Sequence, residues 1–287
     1  MAGVNLGPDL PCLGVLENHL KGVRMRGYKE AILQNREAFK DKVVLDVCCG
    51  SGILSLFAAS AGAKKVIAVD NNCFLEVTEQ VVRDNKMENV ISVMCANIKE
   101  LERLPGDVEK VDIILCDWIG ECLLNESCID SLLHARDRWL AEGGLIFPDL
   151  AGLYVAAIED TECLENKAAW WGNVYNFDMT PIRDAELTMP ALETVSTERL
   201  VSNVSLVKEV DAMTATEEDL TFESPFFLVF NKDENIHTLV LFFDVFIFAG
   251  RHKVELSSSP RHPLTQQTKL YLQEEILVNK GDQIAGQ

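Results

Sequence analysis

The apolar and polar positions of residues 43–72 set the pattern for the first half of the chain. Residues 43–47 (VVLDV) are a short, valine-rich apolar run, too short for a helix, and predict a buried strand. A turn at Gly50-Ser51-Gly52 follows, then an apolar, small-residue helix over 53–61 with Gly62 as its C-cap. Residues 66–69 predict a second strand that ends in Asp70. Strand, glycine turn, helix and strand with a terminal acid form the βαβ unit that binds ribose-bearing cofactors. Gly50, Gly52 and Asp70 are therefore candidate cofactor residues, although Asp70 could instead only cap the next helix.

The same alternation continues. Helical periodicity covers residues 17–39 and 74–86, strands are expected at 90–95 and 111–116, and a turn at 97–102. The fourth strand delivers Asp117-Trp118-Ile119-Gly120-Glu121 at its carboxyl end, where α/β sheets hold their ligands. A helix is predicted over 123–139, ended by Gly143-Gly144, and the alternation stops near Pro148. Beyond it lie a strand at 153–158 and, from Thr188, short apolar runs between acidic turns at 200–210, 226–230, 238–248 and 268–272. Such runs read as an antiparallel sandwich or barrel. Three segments result: a loose arm at 1–16, a doubly wound α/β domain at 17–148 and an all-β domain at 149–287.

Composition narrows the functional classes. No apolar run approaches the ~18 residues of a membrane span, and MAGVNLGPDLPCLGVL lacks the basic start of a secretory leader. Nine cysteines at irregular spacing, without a CxxC pair, suit a reducing compartment. Cytoplasmic residence, with the nucleus as a second possibility, is expected. A net charge of −19 argues against nucleic-acid binding; it suits basic protein partners, or equally serves only to keep the surface charged and the chain in solution.

The stretch VLDVxxGSGILSLFAAxAGAKKVIAVD resembles motif I of the protein arginine methyltransferases, most like a type I member, and the similarity extends over residues 28–284. That resemblance implies an S-adenosylmethionine-methyltransferase (Rossmann-like) domain, then an antiparallel β-barrel domain carrying a helical dimerisation arm. The arm falls at about 160–182, where Trp170, Trp171, Val174, Tyr175, Phe177 and Met179 would form the interface. It also implies cofactor positions at Arg24, Asp46, Gly50, Gly52 and Asp70, with Arg24 pairing with the cofactor carboxylate through its planar fork. Two acids after the fourth strand would grip the substrate guanidinium, here Asp117 and Glu126.

Several positions depart from the family pattern. Aspartate at 117 is one methylene shorter than the family's glutamate, a setback of ~1 Å that can cost about 10²-fold in rate. Glu121 replaces a tyrosine, and Cys48 replaces a glycine that lets the backbone approach the cofactor. Lys99, with donors only, stands where a glutamate accepts from the adenine amine. A tyrosine-rich lid helix has no counterpart before Glu17, and PRHPLTQQT lacks the tryptophan of the substrate loop, with His262 out of register. The family's last barrel strands would lie beyond Gln287.

Scaffold and arm are kept where chemistry is altered. The expectation is therefore a degenerate, catalytically inactive paralogue, a regulatory subunit or prozyme, with Asp117 and Glu126 as remnants and Arg24, Asp46, Gly50, Gly52 and Asp70 as vestiges. It would bind no cofactor tightly, pair with an active arginine methyltransferase paralogue that uses S-adenosyl-L-methionine, and help that partner attract Arg-rich substrates. No direct nucleic-acid or membrane contact and no metal are expected. The alternative is a weakly active arginine methyltransferase using Asp117 and Glu126.

Overall fold

The computed structural model describes residues 13–71, 74–261 and 266–287. Three helices come first: α1 (Leu13–Lys21), α2 (Val23–Gln34) and α3 (Arg36–Phe39). The periodicity of residues 17–39 suggests one helix, but Gly22 is extended and Asn35 leaves helical geometry. The Asn35 amide instead donates to the carbonyls of Ala31 (2.8 Å) and His252 (2.9 Å), tying α2 to the second half of the chain. Residues 13–16, expected within a loose arm, open α1 because Leu13, Leu16 and Leu20 recur at helical spacing. The rest of that arm, residues 1–12, lies outside the described residues.

Next come β1 (Val43–Val47), α4 (Ile53–Ser60), β2 (Lys65–Asp70), α5 (Leu75–Asp84), β3 (Ile91–Cys95), β4 (Val111–Leu115), α6 (Ile129–Trp139) and β5 (Leu140–Phe147). The strands form one parallel sheet ordered β3-β2-β1-β4-β5. Alternate residues feed two cores: Leu45, Val47, Ile67 and Ile114 on one side, Val44, Val66, Ala68 and Leu115 on the other. Burial on both faces is why these strands read as unbroken apolar runs. The order reverses between β1 and β4, so the loops after those strands flank the switch point at which doubly wound sheets bind ligands.

Two details of this half differ from the sequence expectation. The helix expected over 123–139 starts only at Ile129, because residues 120–127 fold into a tight loop with Cys122, Leu123 and Glu126 at positive φ. The Ser127 hydroxyl, one residue before the N-cap Cys128, accepts from the Ile129 N–H at 3.0 Å. Gly143-Gly144 do not end that helix. It ends at Trp139, and the glycines sit in a bulge of β5, between the pairs Val111↔Leu140 and Ile113↔Leu145.

The second half begins with β6 (Leu150–Ile158), followed by α7 (Thr161–Gly172), α8 (Thr180–Glu186), β7 (Ala191–Glu193), β8 (Ser205–Asp211), β9 (Phe226–Val229), β10 (Glu234–Ile247), β11 (Val254–Ser257), β12 (Gln267–Val278) and β13 (Gln283–Gly286). An antiparallel sheet ordered β7-β12-β10-β6-β8, extended by β11 on β10 and accompanied by the β9–β13 pair, makes a barrel-like domain. It packs on the first half where α2 passes β11. A Cβ at Gly27 would lie 2.1 Å from a Leu256 methyl, so any larger residue there would force the Leu256 side chain to move. Helices α7 and α8 form a hairpin that buries none of its residues. Its tip, residues 174–177, is a two-residue turn with Tyr175 and Asn176 both at positive φ, as a type I′ turn requires.

Candidate functional site

The loop after β1 provides one wall. Cys48, Gly50 and Gly52 all have positive φ (56°, 49° and 75°), so the chain turns sharply from β1 into α4. Asp70, at the end of β2, accepts from the Gly50 N–H at 2.8 Å, and the Thr78 hydroxyl donates to the Gly50 carbonyl at 2.6 Å. A Cβ on Gly50 would meet nothing within 4 Å, so the loop faces open space there. Behind it Asp46 is fully buried. Its Oδ2 accepts from Ser55 at 2.6 Å and its Oδ1 has no partner. Burial pushes the Asp46 carboxyl up to about 7, against the Ser55 hydrogen bond. The Cys48 thiol is raised first by its hydrogen bond with Cys116, and burial adds to the shift, so it stays protonated and is a poor nucleophile.

The loop after β4 provides the opposite wall. Trp118 is buried, donates to the Pro148 carbonyl at 3.1 Å and fixes the start of the loop. Beside it Asp117 is taken up by its own chain. The Tyr28 hydroxyl donates to Oδ1 at 3.0 Å, while Arg24 Nη2 and His19 Nε2 stand 3.3 Å and 3.6 Å from Oδ2. Arg24 also donates to the Ile119 carbonyl at 3.1 Å. Desolvation, reinforced by Asp117, holds the Tyr28 phenol well above its usual range. Desolvation also lowers the His19 imidazole, with Asp117 opposing. Glu126 is exposed and opens, with Glu121, Arg24 and the 266–268 segment, onto a cavity of about 300 Å³. The two acids thus share a loop but differ in setting: Asp117 is bound by α1 and α2, and Glu126 borders the cavity.

The S-adenosylmethionine expected from motif I fits these groups poorly. Arg24, the expected partner of the cofactor carboxylate, is engaged by Asp117 and Ile119. Lys99 stands 2.5 Å from Asp130 Oδ2 and offers donors only. Cys48 carries a side chain at a left-handed backbone position. His262 lies outside the described residues.

On the arm, Trp170, Tyr175 and Phe177 are 56%, 84% and 70% exposed. Val174 and Met179 are half-buried. Trp171 is too, and its indole N–H donates to Glu186 at 2.9 Å within the same hairpin. The partners of Asp117 were not legible as such. Tyr28 precedes Asp117 by 89 residues, and only the fold, which sets α1 and α2 beside the loop after β4, brings His19 and Tyr28 to it.

A glycine turn at the switch point of a β3-β2-β1-β4-β5 sheet, joined to a barrel-like domain, defines a class: an S-adenosylmethionine-methyltransferase fold with a β-barrel appendage. Comparison with known proteins refines it. Residues 149–287 match the family model described as arginine methyltransferase oligomerization subdomain, and residues 28–147 match that of ribosomal protein L11 methyltransferase (PrmA). The chain is 41% identical to protein arginine N-methyltransferase 8-B of Danio rerio over 95% of its own length and 65% of that protein's. It is also 41% identical to protein arginine N-methyltransferase 1 of Caenorhabditis elegans, over 95% of this chain and 79% of that one. A solved structure described as the Trypanosoma brucei PRMT1 enzyme-prozyme heterotetrameric complex with AdoHcy superposes with a TM-score of 0.88 at 36% identity, covering 96% of this chain and 86% of that chain. Arabidopsis thaliana protein arginine methyltransferase 10, in an open conformation, gives 0.83 at 26% identity over 96% and 86%. The chain belongs to the type I protein arginine methyltransferase family.

Proposed function

We propose that this chain is a non-catalytic subunit of an arginine methyltransferase assembly, pairing through its arm with an active paralogue that it stabilises or activates. The observation that carries this reading is the Asp117–Arg24 contact at 3.3 Å. It joins the first substrate-gripping acid to the arginine meant for the cofactor, so both are engaged within the chain. The Trypanosoma brucei complex offers a precedent, in that a related fold there combines enzyme and prozyme in one heterotetramer. Trp170, Trp171, Tyr175 and Phe177 would supply the contact, since buried aromatics carry much of the energy of interfaces. The acidic surface would draw Arg-rich proteins toward the partner's site. Cytoplasm or nucleus would house the complex.

The test compares the chain alone with the chain co-purified with an active paralogue. Alone, it should transfer no methyl groups and should bind S-adenosyl-L-methionine more weakly than micromolar by calorimetric titration. Changing Trp170 and Trp171 to Ala should reduce the assembled size. A second reading, a weakly active enzyme, draws on the shared loop of Asp117 and Glu126. Alanine at both positions, set against alanine at the partner's own glutamates, separates the two. If the changes here abolish methylation and those in the partner do not, the non-catalytic reading fails.

A further inference from the structure

The root of the arm holds a lysine and a cysteine in a setting that the methyltransferase reading does not use. Lys269, on β12, is fully buried. Its Nζ lies 2.6 Å from Asp160 Oδ2, 2.8 Å from Glu193 Oε2 and 3.6 Å from the Sγ of Cys163 on α7. The Cys163 thiol also points at Glu193 Oε2, 3.9 Å away. Nucleophile, amine and two carboxylates therefore meet within one contact shell. Cys163 lines an open cavity of about 640 Å³, so a small oxidant reaches Sγ, whereas Nζ has no exposure to water.

We propose that Cys163 and Lys269 are joined by an oxidative Sγ–O–Nζ crosslink formed with dioxygen. Sγ bonds to one oxygen atom as the S–H bond breaks. Nζ then bonds to that same oxygen as the O–O bond breaks. The second oxygen leaves as water with the thiol hydrogen and one amine hydrogen. Sulfur and nitrogen together lose four electrons, which reduce dioxygen. Starting from the ammonium, the remaining proton passes to Glu193, so the loss of the lysine charge is matched and the buried cluster keeps its net charge. Asp160 keeps Arg199 as its cation, and Lys167 remains 3.8 Å from Glu193. An intervening oxygen suits a 3.6 Å separation better than a direct S–N bond, which would draw Lys269 away from both carboxylates. The Sγ–O–Nζ bridge ties α7 to β12 across 106 residues of sequence and closes a long loop, which restricts the unfolded chain. This inference does not depend on whether the chain is catalytic.

The experiment uses the full chain stored under air, without oxygen, and under air followed by dithiothreitol. Intact mass in air should show a species heavier by one oxygen and lighter by two hydrogens, absent without oxygen and reversed by the thiol. Its digest should join the peptides containing Cys163 and Lys269. Its melting temperature should exceed that of the reduced protein by several degrees. Cys163→Ser and Lys269→Arg should each remove the species. Recovery of Cys163 after aerobic storage only as a free thiol, as an unlinked sulfinic acid or in a disulfide would overturn the proposal. The wild-type digest gives that answer even if either variant fails to fold.

Discussion

Fully buried, and with Oδ1 lacking a partner, Asp46 holds its proton up to about pH 7. In the unfolded chain it would titrate near the ordinary value of 3.8. The folded state therefore binds the extra proton between those values, and stability falls as pH rises through that window. At about 1.4 kcal/mol per unit, the loss is roughly 4 kcal/mol at most. Asp46→Asn cannot ionise. Thermal melts of both proteins should show wild type losing stability relative to the variant from pH 4 toward pH 7, and a constant difference would refute the assignment. Tyr175 poses a different problem. A bulky residue at φ 53° in an exposed turn costs about 1 to 3 kcal/mol. Tyr175→Gly should raise the melting temperature of the isolated chain or leave it unchanged, yet weaken assembly with a paralogue. Equal loss of both would mean that the ring packs at home.

The arm hairpin owes its set to an ionic string. Arg199 pairs with Asp160, Asp160 with Lys269, Lys269 with Glu193, Glu193 with Lys167, and Lys167 with Glu186, which also accepts from Trp171. Lys269→Met would leave two carboxylates without their buried cation and should cost about 3 to 5 kcal/mol in denaturant unfolding. Adding Asp160→Asn should recover part of that loss. At this scale the sequence was legible where a run is buried on both faces: β1, α4 and β2 lie where valine runs and glycines put them. It was less so where side chains from afar decide. The 17–39 helix breaks because Asn35 bonds to His252 in the barrel, and the 123–139 helix shortens because residues 120–127 fold into a tight loop whose start His19 and Arg24 hold at Asp117 and Ile119. Strand β12 reaches Val278, well past the expected 268–272, because Glu234–Ile236 of the long β10 pair with its far end. Charged residues of β12 such as Glu274 and Glu275 hide that pairing from a hydrophobicity reading. Of the site, the glycine turn and Asp117 were readable, but the three groups that bind Asp117 were not, since nothing local marks His19 or Tyr28.

Over the whole molecule a charge of −19 acts on distant partners through water, where salt screens it beyond ~10 Å at 0.1 M. Binding of an arginine-rich peptide to the assembled complex should therefore weaken steeply between 0.1 M and 1 M salt, whereas assembled size, held by aromatic burial, should not change. Titration calorimetry and sedimentation in the same buffers check the pair, and parallel loss of both would refute the division. The ionic string has a consequence of its own. Its three cations and three carboxylates cancel among themselves, but Glu162, Glu165, Asp178 and Asp184 against Arg183 leave the arm itself acidic, like the body that carries it. An approaching subunit therefore meets the same acidic field over the arm as over the body. Two copies of this chain repel one another before their arms can meet, and a less acidic mate arrives sooner, so far-field electrostatics sorts encounters in favour of unlike pairs before any side chain touches.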